Sequence, residues 1–353
     1  GGVGAGAGGF RENRRRFERY SKRSWMKALG TLPKSYVLHR VWDRCVVNVA
    51  WAAVVSLIFL ALRPVAPWIF FNVAPVPHIV LGTALGLLLV FRTTAAYDRF
   101  WEGRKLWAVI VTHSRLLASN ALLAFGPSNF PAAEQLVSVV AAFSATAVKH
   151  LRGRVAELTD GERENVAVAM ALGRGFERAG NQPYLLLDWV AGEVDRLYAE
   201  AAAESYRVDA ARGVPGFGGA AVELNRLIMA ESQMKASVLA LLDALAGCER
   251  ITDSPVPLAY SRHTSRFVTI FCFSLPLVMV SQNGPGWSVF FMAIITWSLY
   301  SIEEIAHMIE NPFTPGKGGI PVESICEKIS AELKELVAYR STLRTASRTP
   351  RES

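Results

Sequence analysis

A chain of 353 residues that is 51% hydrophobic, with positive mean hydropathy, yet carries a net charge of +8 is not an ordinary pair of soluble domains. Its charges and apolar residues must be segregated along the chain, as in a membrane protein with a large water-exposed part. Four cysteines (Cys45, Cys248, Cys272, Cys326) without a C-x-x-C pair argue against a zinc site and a disulfide framework, and read as small buried hydrophobes.

The first nine residues, GGVGAGAGG, carry no core-forming side chain and read as a flexible remnant left by removal of a targeting peptide or by cleavage. RENRRRFERYSKRSW (11–25) then interleaves basic and aromatic residues. Nucleic-acid binding is one use of such a run. An apolar span close behind favours anionic lipid headgroups instead, so residues 1–43 are expected to be a basic segment on the membrane surface.

The first membrane helix pair is assigned to 44–99. Val46 to Leu62 (VVNVAWAAVVSLIFLAL) is uncharged, flanked by Arg44 and Arg63, and just long enough to cross a bilayer. Trp42, Trp51 and Trp68 suit the interfaces. Pro64, Pro67, Pro75 and Pro77 predict a turning segment. A second apolar run, from Val76 to Phe91, carries Gly82, Thr83, Ala84 and Gly86, which allow close helix approach. It continues into FRTTAAYDRFWEGRKLW (91–107), charged and aromatic, with nothing that breaks a helix.

Residues 100–263 are polar and helical in period, with RGVPGFGG (212–219) as their clearest loop. The second membrane pair, 264–302, holds apolar runs from Phe267 to Val280, with Pro276 inside, and from Trp287 to Ile302; QNGPG (282–286) turns between them. The tail, 303–353, contains a polar helical stretch from Glu323 to about Leu343. No strand pattern or repeat is visible. Four spans put both chain ends and the middle insert on one side. Lys105, Lys149, His150, Arg152, Arg154, Arg340, Arg344 and Arg348 make that side positive, as expected for the cytoplasmic or stromal face.

Catalytic patterns are missing. GRGFERAG lacks phosphate-binding spacing, and there is no G-x-S-x-G, Walker lysine or H-E-x-x-H. The six histidines are dispersed, and neither a cofactor nor a metal is expected. Glu303 and Glu304, at the end of the last apolar run, suit helix termination and ion pairing better than acid–base work. An enzyme is therefore disfavoured against a channel or transporter. Basic residues just outside an oily bundle call for anions. Arg92 and Arg99 either attract them or pair with acids such as Asp98 and Glu102.

FRTTAAYDRFWEGRKLW (91–107), KHLRG (149–153), LAGCERITDSPVPLAYSRHTSRF (245–267) and EEIAHMIENPF (303–313) together resemble the bestrophin family. The likeness is to its bacterial and plant branch, which holds thylakoid voltage-dependent chloride channels and algal bestrophin-like channels, and it runs from about Tyr36 to Ile329. The resemblance implies an all-α membrane protein that forms a homopentameric channel, with four membrane helices per subunit and a helical soluble region. The second membrane helix would line a hydrophobic neck. Counting from Arg92, the neck falls on Val76, Val80 and Ala84, spaced by four. A one-residue shift puts Ile79 and Thr83 there instead, and Leu87 or Leu88 are the inward candidates if Ala84 leaves the neck wide. A second aperture falls on Val256, between Pro255 and Pro257.

The implied function is an anion channel for chloride, with nitrate or bicarbonate as further permeants. Its partners are small anions, membrane lipid and copies of itself, not nucleic acid. Its place is the thylakoid membrane, with the soluble part facing the stroma. The rival is a non-conducting bestrophin-like scaffold that holds partner proteins at a membrane. Animal bestrophins follow the N-P-F motif with an acidic cluster that binds calcium. NPFTPGKGGIPVE (311–323) has Glu323 as its only acid and adds Lys317, so calcium activation is not expected.

Overall fold

The computed structural model describes residues 30, 35–65, 73–125, 129–153, 176, 179–211, 219–316 and 318–348. The basic stretch 11–25, Trp68, Arg154, most of the 212–219 loop and Lys317 lie outside them. The described residues form eight helices and no strand: α1 Tyr36–Leu62, α2 Val76–Ala124, α3 Phe130–Leu151, α4 Gln182–Ala211, α5 Gly219–Asp253, α6 Leu258–Asn283, α7 Pro285–Glu310 and α8 Val322–Arg348. The chain divides into two compact units, Gly1–His78 with Ile270–Glu304, and Ile79–Thr269 with Ile305–Ser353.

In the first unit, apolar side chains of α1 pack on the parts of α6 and α7 that belong to it. Ala52 meets Leu275 and Met292, and Val55 and Phe59 meet Val280. Polar contacts are few and directed. Trp51 Nε1 donates to the Phe273 carbonyl at 2.9 Å, and Ser56 Oγ donates to the Pro285 carbonyl at 3.2 Å. Nearer the chain start, Arg40 pairs with Glu304, Arg44 pairs with Glu303 at 3.2 Å, and Asn48 Nδ2 donates to the Tyr300 hydroxyl at 3.2 Å. Positions 40, 44 and 48 recur every four residues, so one face of α1 carries this polar ladder. Both glutamates pair as expected, but neither terminates a helix, because α7 runs on to Glu310.

The expected turn at 282–286 is built from the chemistry of its residues. Gly284 takes a left-handed φ of 78°, and its N–H reaches back to the Val280 carbonyl at 3.2 Å to close α6. Pro285 then opens α7, where a missing N–H costs nothing. Large apolar side chains on α1, α6 and α7 remain outward-facing, among them Val47, Leu57, Ile270 and Phe290. That much exposed apolar surface suits lipid or protein neighbours, not water.

The second unit has its core around α3. Val139, Val140, Ala142, Phe143, Ala145 and Ala147 are all fully buried, and α3 packs against α4, α5 and α8. Among the described residues, five helices are long and apolar enough to cross a membrane: α1, α2, α3, α6 and α7. The sequence reading counts four, without α3. In α3, 72% of the apolar window is buried inside the protein, against 22–39% in the others. Apolar composition reports burial without distinguishing lipid from protein as the neighbour, and α3 is the helix whose neighbours are protein.

Arginines finish the helix ends of this unit. Arg344 donates to the Leu122 and Phe125 carbonyls at 3.2 and 2.7 Å, and Arg226 to those of Leu123 and Ala124 at 3.3 and 3.2 Å. Together they satisfy carbonyls that the end of α2 leaves open, where the helix dipole favours a cation. Asn181 caps α4 by accepting from the Tyr184 N–H at 3.1 Å, and its amide donates to Glu249, which also meets His150 at 2.8 Å.

Candidate functional site

The helix that leaves the apolar run without a pause is one element: α2 spans 49 residues. With about 3.6 residues per turn and 1.5 Å rise per residue it is about 74 Å long, more than twice a hydrocarbon core of about 30 Å. Its residues sort into two opposite stripes. Leu85, Leu89, Arg92, Ala96, Gly103, Trp107, Ile110 and Ser114 are buried. Val76, Val80, Leu87, Phe91, Asp98, Trp101 and Lys105 are exposed on the other side. The steps of three, four and seven keep each set on one face, the exposed one from Val76 and the buried one from Leu85.

The proposed neck residues fall on or near the exposed stripe. Val76, Val80 and Ala84 are all exposed, and Val80 stands opposite the buried stripe. Ile79 and Thr83 are exposed as well, with Ile79 about a quarter-turn to one side of Val80. Leu87 is exposed and close to the stripe centre, whereas Leu88 is half-buried and turned from it.

Arg92 and Arg99 differ in placement from those residues. Arg92 is 6% exposed, on the buried stripe. Arg99 does not pair with Asp98 or Glu102. Its Nε donates to the Glu310 carbonyl at 3.2 Å, its Nη1 to the Ser254 carbonyl at 2.6 Å, and its Nη2 to the Ile251 carbonyl. Those carbonyls lie at the C-terminal ends of α5 and α7, so one guanidinium closes two helix ends. Glu102 is held instead by Arg250 at 2.5 Å, a partner the sequence did not suggest.

Val256 is half-buried between exposed Pro255 and Pro257. The Pro257 carbonyl accepts from the Tyr260 N–H at 2.9 Å and starts α6. Arg99 therefore ties this loop to α2 two residues before Val256. The loop after α7 is also braced by an arginine. Arg152 Nε donates to the Phe313 carbonyl at 3.0 Å, and its Nη2 pairs with Glu323. Asn311 Oδ1 accepts from the Phe313 N–H at 3.1 Å, and the Ile320 N–H donates to the Pro312 carbonyl at 2.7 Å. The loop seats on α2 at Gly103, where a Cβ would stand 3.0 Å from Pro312 Cγ and 3.2 Å from Phe313 Cζ. Neither the Arg152 brace nor the Gly103 seat was expected. The signal was the joint presence of W-E-G-R-K, K-H-L-R-G and N-P-F, which are three parts of one contact.

A family model described as Bacterial/Fungal Bestrophin protein matches residues 17–335. A voltage-dependent anion channel-forming protein of Nostoc sp. is 30% identical over 330 residues, 92% of this chain and 95% of that one. Voltage-dependent chloride channel 1, chloroplastic, of Arabidopsis thaliana is 26% identical over 76% of this chain, which spans 57% of the plant protein. Among solved structures, a bacterial bestrophin homolog from Klebsiella pneumoniae superposes with a TM-score of 0.65 at 23% identity, over 84% of this chain and 98% of that one.

Proposed function

The chain belongs to the bestrophin family, and from that premise we propose that it forms a homopentameric anion channel whose neck is lined by the exposed stripe of α2 around Val76, Val80 and Ala84. The observation that carries this reading is the stripe itself. A helix that crosses a membrane with one face exposed from Val76 onward and the opposite face buried from Leu85 onward suits a position around an axis. The names of the cyanobacterial and plant relatives supply the anion. Chloride is the expected permeant, with nitrate and bicarbonate beside it. Large, weakly hydrated anions give up water at low cost to cross an apolar constriction, so selectivity among anions comes from dehydration and not from tight sites. Val256 forms the second aperture, on the loop that Arg99 holds. Calcium does not gate the channel, and its place is the thylakoid membrane with the polar helices on the stromal side.

The experiment is single-channel recording of the purified protein in planar bilayers, with chloride, nitrate and bicarbonate exchanged in turn. Val80→Phe narrows the neck and lowers unitary current. Equal current from the variant and the parent protein removes Val80 from the pore, and a bilayer that stays silent with every anion rejects the channel.

A further inference from the structure

We propose that Asp98 and Lys105 form two opposed charge rings on the pore face of α2 and that together they set how far the pore discriminates anions from cations. The inference rests on the pore reading above and adds to it the residues that sort charge.

Asp98 lies about five full turns, roughly 27 Å, along α2 from Val80, so the two residues share one angular position on the helix. Lys105 follows about two turns, roughly 10 Å, later on the same stripe. Both side chains are exposed, and neither has a hydrogen bond or ion pair within the described residues. Their charged neighbours are otherwise engaged. Arg92 is buried, Arg99 is bound to three carbonyls, and Glu102 is paired with Arg250. Arg104 is exposed but sits more than a quarter-turn from Lys105, off the stripe. Between Arg92 and Lys105, the charges that the stripe itself presents are therefore one carboxylate and, deeper, one ammonium.

Symmetry around an axis turns each of these into a ring at its own level. The rings are separated by about one Debye length at physiological ionic strength, roughly 8 Å, so a passing ion meets them in sequence and not as a cancelled pair. The lysine ring raises the anion concentration in the wide part of the conduit. The aspartate ring stands between that reservoir and the neck and opposes the same ions. Rings of acidic side chains favour cations and rings of basic ones favour anions. The two in series produce a moderate anion preference and leave the neck free to act by dehydration.

The test is the reversal potential of purified channels in an asymmetric KCl gradient. Asp98→Asn moves it toward the chloride equilibrium potential and raises the chloride-to-potassium permeability ratio about threefold, and Lys105→Gln lowers the ratio by a similar factor. Charge is also changed after assembly: Asp98→Cys is treated with methanethiosulfonates bearing either a sulfonate or a trimethylammonium group. The sulfonate restores the parent reversal potential and the cation overshoots the Asp98→Asn value. The four native thiols are buried, and burial pushes the Cys248 thiol up to about 12, so the parent channel is the unreactive control. If Val80→Phe lowers current while the Asp98 and Lys105 variants keep the parent reversal potential, the charge rings are refuted and the pore reading stands. If Val80→Phe is also silent, both fall. A buried Asp98→Cys thiol that no reagent reaches refutes the rings as well. Should that variant fail to assemble, Lys105→Cys treated with the same two reagents decides the matter: a reversal potential that ignores the sign of the added charge refutes the rings.

Discussion

Arg99 on α2 donates to the carbonyl of Ser254 at 2.6 Å, two residues before Val256. This contact ties α2 to the loop that carries Val256. The guanidinium also serves Ile251 and Glu310, so three carbonyls at two helix ends depend on it. Lysine has the charge but not the fork, and its single nitrogen cannot stand where Nε, Nη1 and Nη2 each donate. Arg99→Lys is expected to cost about 2–3 kcal/mol, since bonds from a charged donor are worth more than neutral ones. Thermal unfolding of the detergent-purified protein reads this as a lowered midpoint. A midpoint equal to that of the parent protein would mean that Arg99 is not a brace and returns it to the pool of anion-attracting charges.

Gly103 is a tight seat on α2. A methyl group there meets the ring atoms of Pro312 and Phe313 at 3.0–3.3 Å, and a proline ring does not swing aside as a flexible side chain does. Gly103→Ala is expected to destabilise by about 1–3 kcal/mol through overpacking, despite the better helix propensity of alanine. Gly192, in the interior of α4, has nothing within 4 Å of its virtual Cβ. Gly192→Ala therefore gains about 0.5–1 kcal/mol. Opposite signs for two identical substitutions, read by thermal unfolding, check the packing directly. A stabilised Gly103→Ala protein contradicts the seat.

What the sequence reveals and what it hides divide along physical lines here. The long helix, the turn at Gly284 and the polar tail follow from local rules: periodicity, breakers and caps. The candidate neck positions also follow, because a resemblance anchored at Arg92 needs only the helical period to reach Val80. The status of α3 does not, since an alanine-rich apolar helix reads alike whether lipid or protein surrounds it. The partner of Arg99 is equally hidden. Adjacent acids such as Asp98 and Glu102 are its neighbours in sequence, but the acceptors that hold it are backbone carbonyls more than 150 positions away. Backbone groups leave no mark in a sequence, so a charge expected to pair with an acid can be taken by a helix end.

The ladder on α1 predicts an asymmetry between partners. Glu303 and Glu304 are 4% and 6% exposed, while the side chains of Arg44 and Arg40 are 47% and 43% exposed. Removing an arginine takes the paired cation from a buried carboxylate. Neutralising the glutamate leaves a cation that can turn to solvent. Arg44→Met is therefore expected to cost about 2–4 kcal/mol and Glu303→Gln about 1 kcal/mol. A double-mutant cycle of the two, followed by thermal unfolding, gives a coupling of about 1–2 kcal/mol. Equal single-mutant costs with no coupling would show that the pair contributes nothing to the first unit.

The loop from Asn311 to Glu323 holds one carboxylate, and Arg152 already occupies it from α3's end while also bonding the Phe313 carbonyl. A calcium ion needs six to eight oxygens, several of them anionic, at about 2.3–2.6 Å. Here it would have to displace a guanidinium from its only acidic ligand and then bind mainly neutral carbonyls, several of them engaged within the loop, such as that of Pro312. Coulomb repulsion from Arg152 opposes the exchange at every step. Bilayer conductance is therefore expected to stay the same between calcium-free and micromolar-calcium solutions. Arg152→Gln frees Glu323 but does not create the missing carboxylates, so it is expected to lower thermal stability without conferring a calcium response. A parent channel whose open probability rises with micromolar calcium would overturn this account of the loop, and a response in Arg152→Gln alone would show that the arginine was the sole obstacle.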